Sequence, residues 1–244
     1  MYRSVICLAA LALTSSLAGV STAEAGSNPQ LYAPGADVHG HSRVYWASEV
    51  AKWEQEIPVP DNPIANPESP LNCSTDVSPI AYVGQPTSVT GQGACRIPAG
   101  TPFSIVPVSW GCSTAEGKVG NLGSFHGRTW KNLRRCAHTM FRRDYLGDEV
   151  TLRMWIDGSR IENIFRYTVT TRPRMADFPE DNVWEELDPS DVEIPAGPTK
   201  TITRVMFLLF KPLSPGLHRI RIHANIPAWD DEPFRDVWRI RVVR

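Results

Sequence analysis

Apolar positions change their period along this chain, and the changes mark its elements. Between Ser42 and Ile57, Trp46, Val50, Trp53 and Ile57 recur at i, i+4, i+7 and i+11, which places them on one face of an α-helix. Ser42 is a fitting N-cap, and Pro58 ends the run because the residue before a proline is pushed out of the helical region. Arg128 to Arg143 carries a second helical stripe of Trp130, Leu133, Ala137 and Met140 or Phe141. Elsewhere the period is two. Pro79–Gly84 is a short strand, and Phe103–Trp110 is another with Pro107 inside it. A proline cannot donate to a ladder, so an edge or a bulge is expected there. Glu149–Thr171 reads as a hairpin: Val150, Leu152, Met154 and Ile156 alternate with Thr151, Arg153 and Trp155, Asp157-Gly158 is a type I′ turn pair, and Phe165, Tyr167 and Val169 follow. Ile202–Phe210 is nearly all apolar, as for a strand covered on both faces. After a Leu213–Gly216 turn, His218, Ile220, Ile222 and Ala224 alternate with Arg219, Arg221 and His223, and Trp238, Ile240 and Val242 alternate with Arg239 and Arg241.

Four stretches lack a period. Residues 26–41 form an extended leader. Pro58–Pro70 holds five prolines and is a semi-rigid connector. Gly111–Gly127 is a glycine-rich loop. Arg172–Lys200 is rich in Pro, Asp and Glu, an aperiodic length unusual inside one domain and often functional. Short alternating strands separated by turns indicate a mainly β protein: an antiparallel β-sandwich with two flanking α-helices and long irregular loops, stapled by disulfides.

The first 25 residues read as a secretory signal peptide, with Arg3 ahead of a short apolar core and Ala23-Glu24-Ala25 as the cleavage site. The expected mature chain, 26–244, is one domain, secreted or periplasmic. No later stretch has the roughly 18–20 unbroken apolar residues a membrane span needs. The formal net charge is −1, which gives no reason to expect nucleic acid as a partner. Cys73, Cys95, Cys112 and Cys136 remain after cleavage, and an even count in an exported chain reads as two disulfides. Pairing of sequence neighbours, Cys73–Cys95 and Cys112–Cys136, closes the smaller loops. No C-x-x-C pair points to zinc. Asn72-Cys73-Ser74 matches a glycosylation sequon, discounted for its central cysteine.

The order of several short motifs resembles a group of exported bacterial proteins without an assigned activity. These motifs are the Trp46…Trp53 helix, Asn62-Pro63, Cys73, the Cys95-Arg96-Ile97-Pro98-Ala99-Gly100 turn and the closing Leu213-Ser214-Pro215-Gly216-Leu217-His218 hairpin. The resemblance spans most of the mature chain and implies export and a β-rich fold. It brings no catalytic residue. The helix at Arg128–Arg143 and the acidic stretch at 172–200 depart from it.

The chain lacks G-x-S-x-G, H-E-x-x-H, a P-loop and a dinucleotide-binding glycine pattern. No cofactor is expected, and the catalytic set is unknown. His39 and His41, at i and i+2 beside Asp37, could bind a metal on an extended segment, but no further protein ligand elsewhere can be named, so the reading is a polar leader without a metal. Asp230-Asp231-Glu232 could bind calcium or serve glycoside chemistry, but reads as a solvated hairpin loop. His218 at a hairpin start reads as a backbone-bonding residue. Candidate ligand-binding residues are His126 in the glycine loop, Trp130, Arg134 and Arg135 on the basic helix, and Trp184 in the acidic stretch. The basic helix pairs either with that stretch or with a partner. The leading expectation is a non-enzymatic binding or envelope-interaction module whose partner is carbohydrate or protein. Its rivals are a secreted polysaccharide hydrolase and a protein docking on an anionic membrane surface through the basic helix.

Overall fold

The computed structural model describes residues 28–86, 93–115, 129–187, 194–228 and 232–244. Two features give the fold its shape: a five-stranded sheet, and a bent ribbon of two chains that passes from one small sheet into another.

The ribbon starts from the longest apolar run. Strand β12 covers Gly197–Met206 and β13 covers Leu208–Phe210. Beside them run β7 (Ser109–Ser113) and β6 (Phe103–Ile105). β12 pairs with β7, and β13 pairs with β6, both antiparallel. The expected strand Phe103–Trp110 is therefore two strands in two sheets. Pro107 sits at the break, where the missing N–H costs no ladder bond, and the Met206 N–H donates to the Val108 carbonyl across the corner at 3.0 Å. Phe207 is the matching break on the partner strand. Its N–H donates to the Tyr167 carbonyl at 3.1 Å, and its carbonyl accepts from the buried Arg43 guanidinium at 2.5 Å.

Each side of the corner grows its own sheet. β6 pairs in parallel with β4 (Ala81–Val83), which pairs with β3 (Cys73–Ser74). β12 is joined on its other edge by β10 (Thr168–Thr170) and β11 (Arg174–Phe178). The near-continuous apolar run is covered on both faces, as its sequence requires: Met206, Leu208 and Phe210 face the main core, while Val205, Phe207 and Leu209 face helix α1 (Arg43–Gln55) through Trp46 and Val50. Ser42 caps α1 by accepting from the Tyr45 N–H. Trp46 is buried, and Trp53 meets Tyr82 edge-on with centroids 5.0 Å apart, so the Trp stripe is core.

The larger sheet runs in the order β5-β15-β14-β8-β9. Its strands are Cys95–Pro98, Phe234–Val243, Gly216–Asn225, Thr151–Ile156 and Ser159–Ile161. All its pairs are antiparallel except β5 on β15. Ile97, Ile240, Ile220, Met154 and their neighbours face the main core. The protein is thus mainly β, and among the described residues antiparallel pairing is dominant, with two parallel pairs. Both disulfides form as neighbours, Cys73–Cys95 and Cys112–Cys136. The first ties β5 to β3. The second ties β7 to helix α2 (Trp130–Tyr145), whose Leu133, Cys136, Ala137 and Phe141 are fully buried.

Several expectations need correction. The 149–171 hairpin has its two-residue turn, with Asp157 and Gly158 at φ +49° and +87°, but β9 ends at Ile161. Asn163 at φ +49° turns the chain into a short 3-10 helix, Ile164–Tyr167, and Thr168–Thr170 joins the other sheet. Residues 172–200 are not structureless: they contain β11, the short helix α3 (Val183–Leu187) and the start of β12. Among the described residues, the two expected helices become three. The leader is not simply extended. Asp37–Val38 (β1) and His41–Ser42 (β2) form a hairpin, and the Asn28 amide donates to the Tyr167 hydroxyl at 2.8 Å, tying the leader to the domain.

Candidate functional site

Alternation along β14 and β15 places one residue type in the core and its neighbours outside. The core positions are apolar. The outside positions are largely arginine, and the register brings those of five strands onto one face. β15 contributes Arg235, Arg239 and Arg241, and β14 contributes Arg219 and Arg221 with His223. Arg153 and Trp155 come from β8, Arg160 from β9 and Arg96 from β5. Every one of these arginines is exposed. Among the described residues, no outward strand position of this sheet holds an acid. Just past the end of β9, Glu162 lies 3.6 Å from Arg160 at the sheet's edge.

The rows across the strands follow from the pairing. Arg96 lies opposite Arg241, and Arg219 opposite Arg239. Arg153, His223 and Arg235 form a third row, and Arg160, Trp155 and Arg221 a fourth. Neighbouring strands lie about 4.8 Å apart and alternate residues about 6.8 Å apart, so the backbone positions that carry these arginines form a close grid. Like charges directly opposite one another cost on the order of 0.2–1 kcal/mol per pair. Twenty of the 25 basic residues are arginine, the side chain whose planar fork bonds carboxylate, sulfate or phosphate in bidentate fashion. Burial, then Arg235, Arg221 and Arg153, lower the pKa of His223. Trp155 stands in the middle: its ring lies 4.7 Å from that of His223, and the Arg221 guanidinium is 5.9 Å from its centroid.

One end of the face is fixed by a charged clasp. Asp157, in the β8–β9 turn, accepts from the Arg219 N–H at 2.8 Å and from His218 Nδ1 at 2.7 Å. His218 Nε2 lies 2.8 Å from the Ser214 carbonyl. His218 thus ties two hairpin turns together, as its place in the sequence suggests. Burial lowers its pKa, but the bonds to Asp157 and Ser214 outweigh this and raise it overall.

The residues singled out from sequence lie elsewhere. His126 is outside the described residues. Trp130 is half-buried at the start of α2, with the Lys200 ammonium 5.4 Å from its centroid. Arg134 and Arg135 are exposed on that helix. Near them Thr170 Oγ1 lies 2.9 Å from His138 Nε2, and Arg204 donates to the same hydroxyl at 3.0 Å. The apolar face of α2 is packed on β7 and β12. Trp184 is structural: it stacks on Phe178, and its ring fills the space over Gly111, where any Cβ would overlap it. Among the described residues, the ion pairs of the basic helix and of the acidic stretch go elsewhere, Arg143 to Asp144 and Arg174 to Glu49. Glu180, Asp181 and Glu185 line an open cleft of about 670 Å³ together with Val59, Pro60 and Ile194. Among the described residues, no group of three or more His, Cys, Asp or Glu side chains is placed to hold a metal, and no helix is long and apolar enough to cross a membrane.

No family model matches this chain, and no curated protein matches it. A crystal structure of a cysteine protease inhibitor from Entamoeba histolytica aligns over 61% of this chain and 84% of that chain, with 10% identity and a TM-score of 0.21. A likeness that slight carries no argument, so the functional reading rests on the surface itself.

The arginine face had a signal in the sequence. The Arg-x-Arg pairs at 219/221 and 239/241 are the polar half of the same alternation that marks the core. Only the pairing of five strands shows that they converge, and a net charge of −1 conceals the sorting.

Proposed function

We propose that this chain is an exported, non-enzymatic binding module that holds a negatively charged polymer or surface on the outer face of its five-stranded sheet. One observation carries the reading: arginines on five adjacent strands share an open face whose outward strand positions hold no acid. A fold gains nothing from placing arginines opposite arginines, and a ligand with complementary charge offsets that repulsion. Export fits two paired disulfides. The hydrolase alternative would have to draw on Glu180, Asp181 and Glu185 in the open cleft. The membrane alternative would have to work through charge alone, from the exposed Lys131, Arg134, Arg135, Arg142 and Arg143, because the apolar side of α2 is occupied.

Retention on a heparin resin, compared with a neutral resin of the same matrix, tests the reading. The wild-type chain should bind at low ionic strength and elute with salt, as screened charge pairs do. A triple Arg219→Ser, Arg221→Ser, Arg241→Ser variant should pass through. Equal retention of both proteins, or no retention of the wild type, overturns the proposal.

A further inference from the structure

We infer that the ligand of the arginine face is an acidic polysaccharide, one sugar ring stacking on Trp155 while its carboxylate or sulfate groups meet the guanidinium groups around that indole. The inference rests on the reading of this face as the ligand surface.

The argument starts from what stands around Trp155. Arg160 and Arg221 flank it across the strands, and Arg153 lies two residues away on its own strand. His223 packs at a tilt beside it. An aromatic plane ringed by cations suits a unit that combines a C–H face with anionic substituents, because the indole face attracts apolar C–H surface while the forks take the charges. Uronate and sulfated sugars have that composition. The lowered pKa of His223 favours the neutral ring, which both accepts and donates a hydrogen bond. Sugar hydroxyls can use both, whereas an inorganic polyphosphate chain has only acceptors.

Two other classes of polyanion fit less well. Proteins that hold single-stranded nucleic acid supply aromatic side chains on which successive bases stack, and here one indole stands alone among the described outward positions of the sheet. A lipid surface is usually engaged with apolar side chains that enter the interface. The exposed Leu217 lies near the far end of β14 from the Trp155 row, and arginines surround the indole.

Titration calorimetry with polygalacturonate, heparin, polyphosphate, oligo-dT and phosphatidylglycerol vesicles separates these cases, with dextran as the neutral control. Trp155→Ala should weaken polygalacturonate and heparin by about tenfold, the scale of one lost stacking contact, and leave polyphosphate within about twofold. Trp155→Phe should restore most of the sugar affinity, which distinguishes stacking from a general loss of structure. Tighter binding of oligo-dT, polyphosphate or vesicles than of either polysaccharide overturns the polysaccharide assignment and leaves the anionic reading standing. So does a Trp155→Ala effect equal on all ligands. No binding of any polyanion overturns both.

Discussion

Glu54 lies on the buried side of α1 with 7% of its surface exposed, and its carboxyl shares a hydrogen bond with Tyr82. Burial raises its pKa from 4.5 to about 7, although the Tyr82 bond opposes the rise. The same burial, together with the carboxyl charge, pushes the Tyr82 hydroxyl well above its usual value. The native state therefore holds a proton on Glu54 at a pH where the unfolded chain has lost it. Where the native state binds more protons, stability falls as pH rises. The loss begins near the unfolded value of 4.5, proceeds through about 7, and is complete above it. Each tenfold difference in proton affinity between the two states is worth about 1.4 kcal/mol, so the total is about 3 kcal/mol. Glu54→Gln replaces the protonated acid with a neutral group of the same shape whose carbonyl still accepts from Tyr82. Guanidinium denaturation of both proteins at several pH values measures the effect. The two should be equally stable at about pH 3.5, below the unfolded value, and the variant should be more stable by about 3 kcal/mol at about pH 8. Taking the difference between the two removes every other titrating group. A difference that does not change with pH would refute the account of a buried, protonated Glu54.

Other outcomes follow from the same structure. Gly111→Ala drives a Cβ into the Trp184 ring and should cost about 1–3 kcal/mol, with a change in tryptophan fluorescence as α3 shifts off β7. His218→Gln should destabilise the fold below the ordinary imidazole value. The deficit should shrink as pH rises through the raised native value, because the ion pair with Asp157 then disappears from the wild type as well. Thermal melts across that range check the sign. Arg241→Thr removes one member of the like-charged pair with Arg96 and should raise stability by a few tenths of a kcal/mol while lowering affinity for heparin. A fall in both would mean that Arg241 serves packing rather than a ligand. Replacing Cys112 and Cys136 with alanine opens a loop of sequence separation 24 and should cost about 3 kcal/mol, measured by denaturation.

What could be read from the sequence was local. Ser42 and Pro58 bracket α1, the Asp157-Gly158 turn is a two-residue turn, and neighbouring cysteines pair. What could not be read was decided between distant segments. Pro107 and Phe207 break their strands at the same level because two chains bend together, and neither position signals a change of sheet by itself. Residues 172–200 look aperiodic because β11 is only five residues long and its partner is the start of β12. The candidate surface stayed hidden for a related reason. Arg96 and Arg241 are far apart in sequence and face each other only through a parallel pairing. The aromatic residues that stood out, Trp130 and Trp184, are held by packing, whereas Trp155 read as an ordinary member of an alternating strand.

The place of β5 in the large sheet sets an order of assembly. Both disulfides join cysteines 22 and 24 residues apart, so each can close while the chain is still emerging N-terminus first. The five-stranded sheet cannot. β5 has no neighbour in it until β15, the last strand, slots between β5 and β14. Three of the arginines arrive with that strand, and a fourth, Arg96, waits beside an unfilled gap until it does. The charged face is therefore completed across the pairing with the largest sequence separation in the sheet, Arg96 with Arg241, and such non-local pairings carry the greatest loop-closure cost. A variant lacking Phe234–Val243 would keep both cysteine pairs and lose three arginines of the face together with the strand that joins β5 to β14, so the anion binding proposed for that face should go with it.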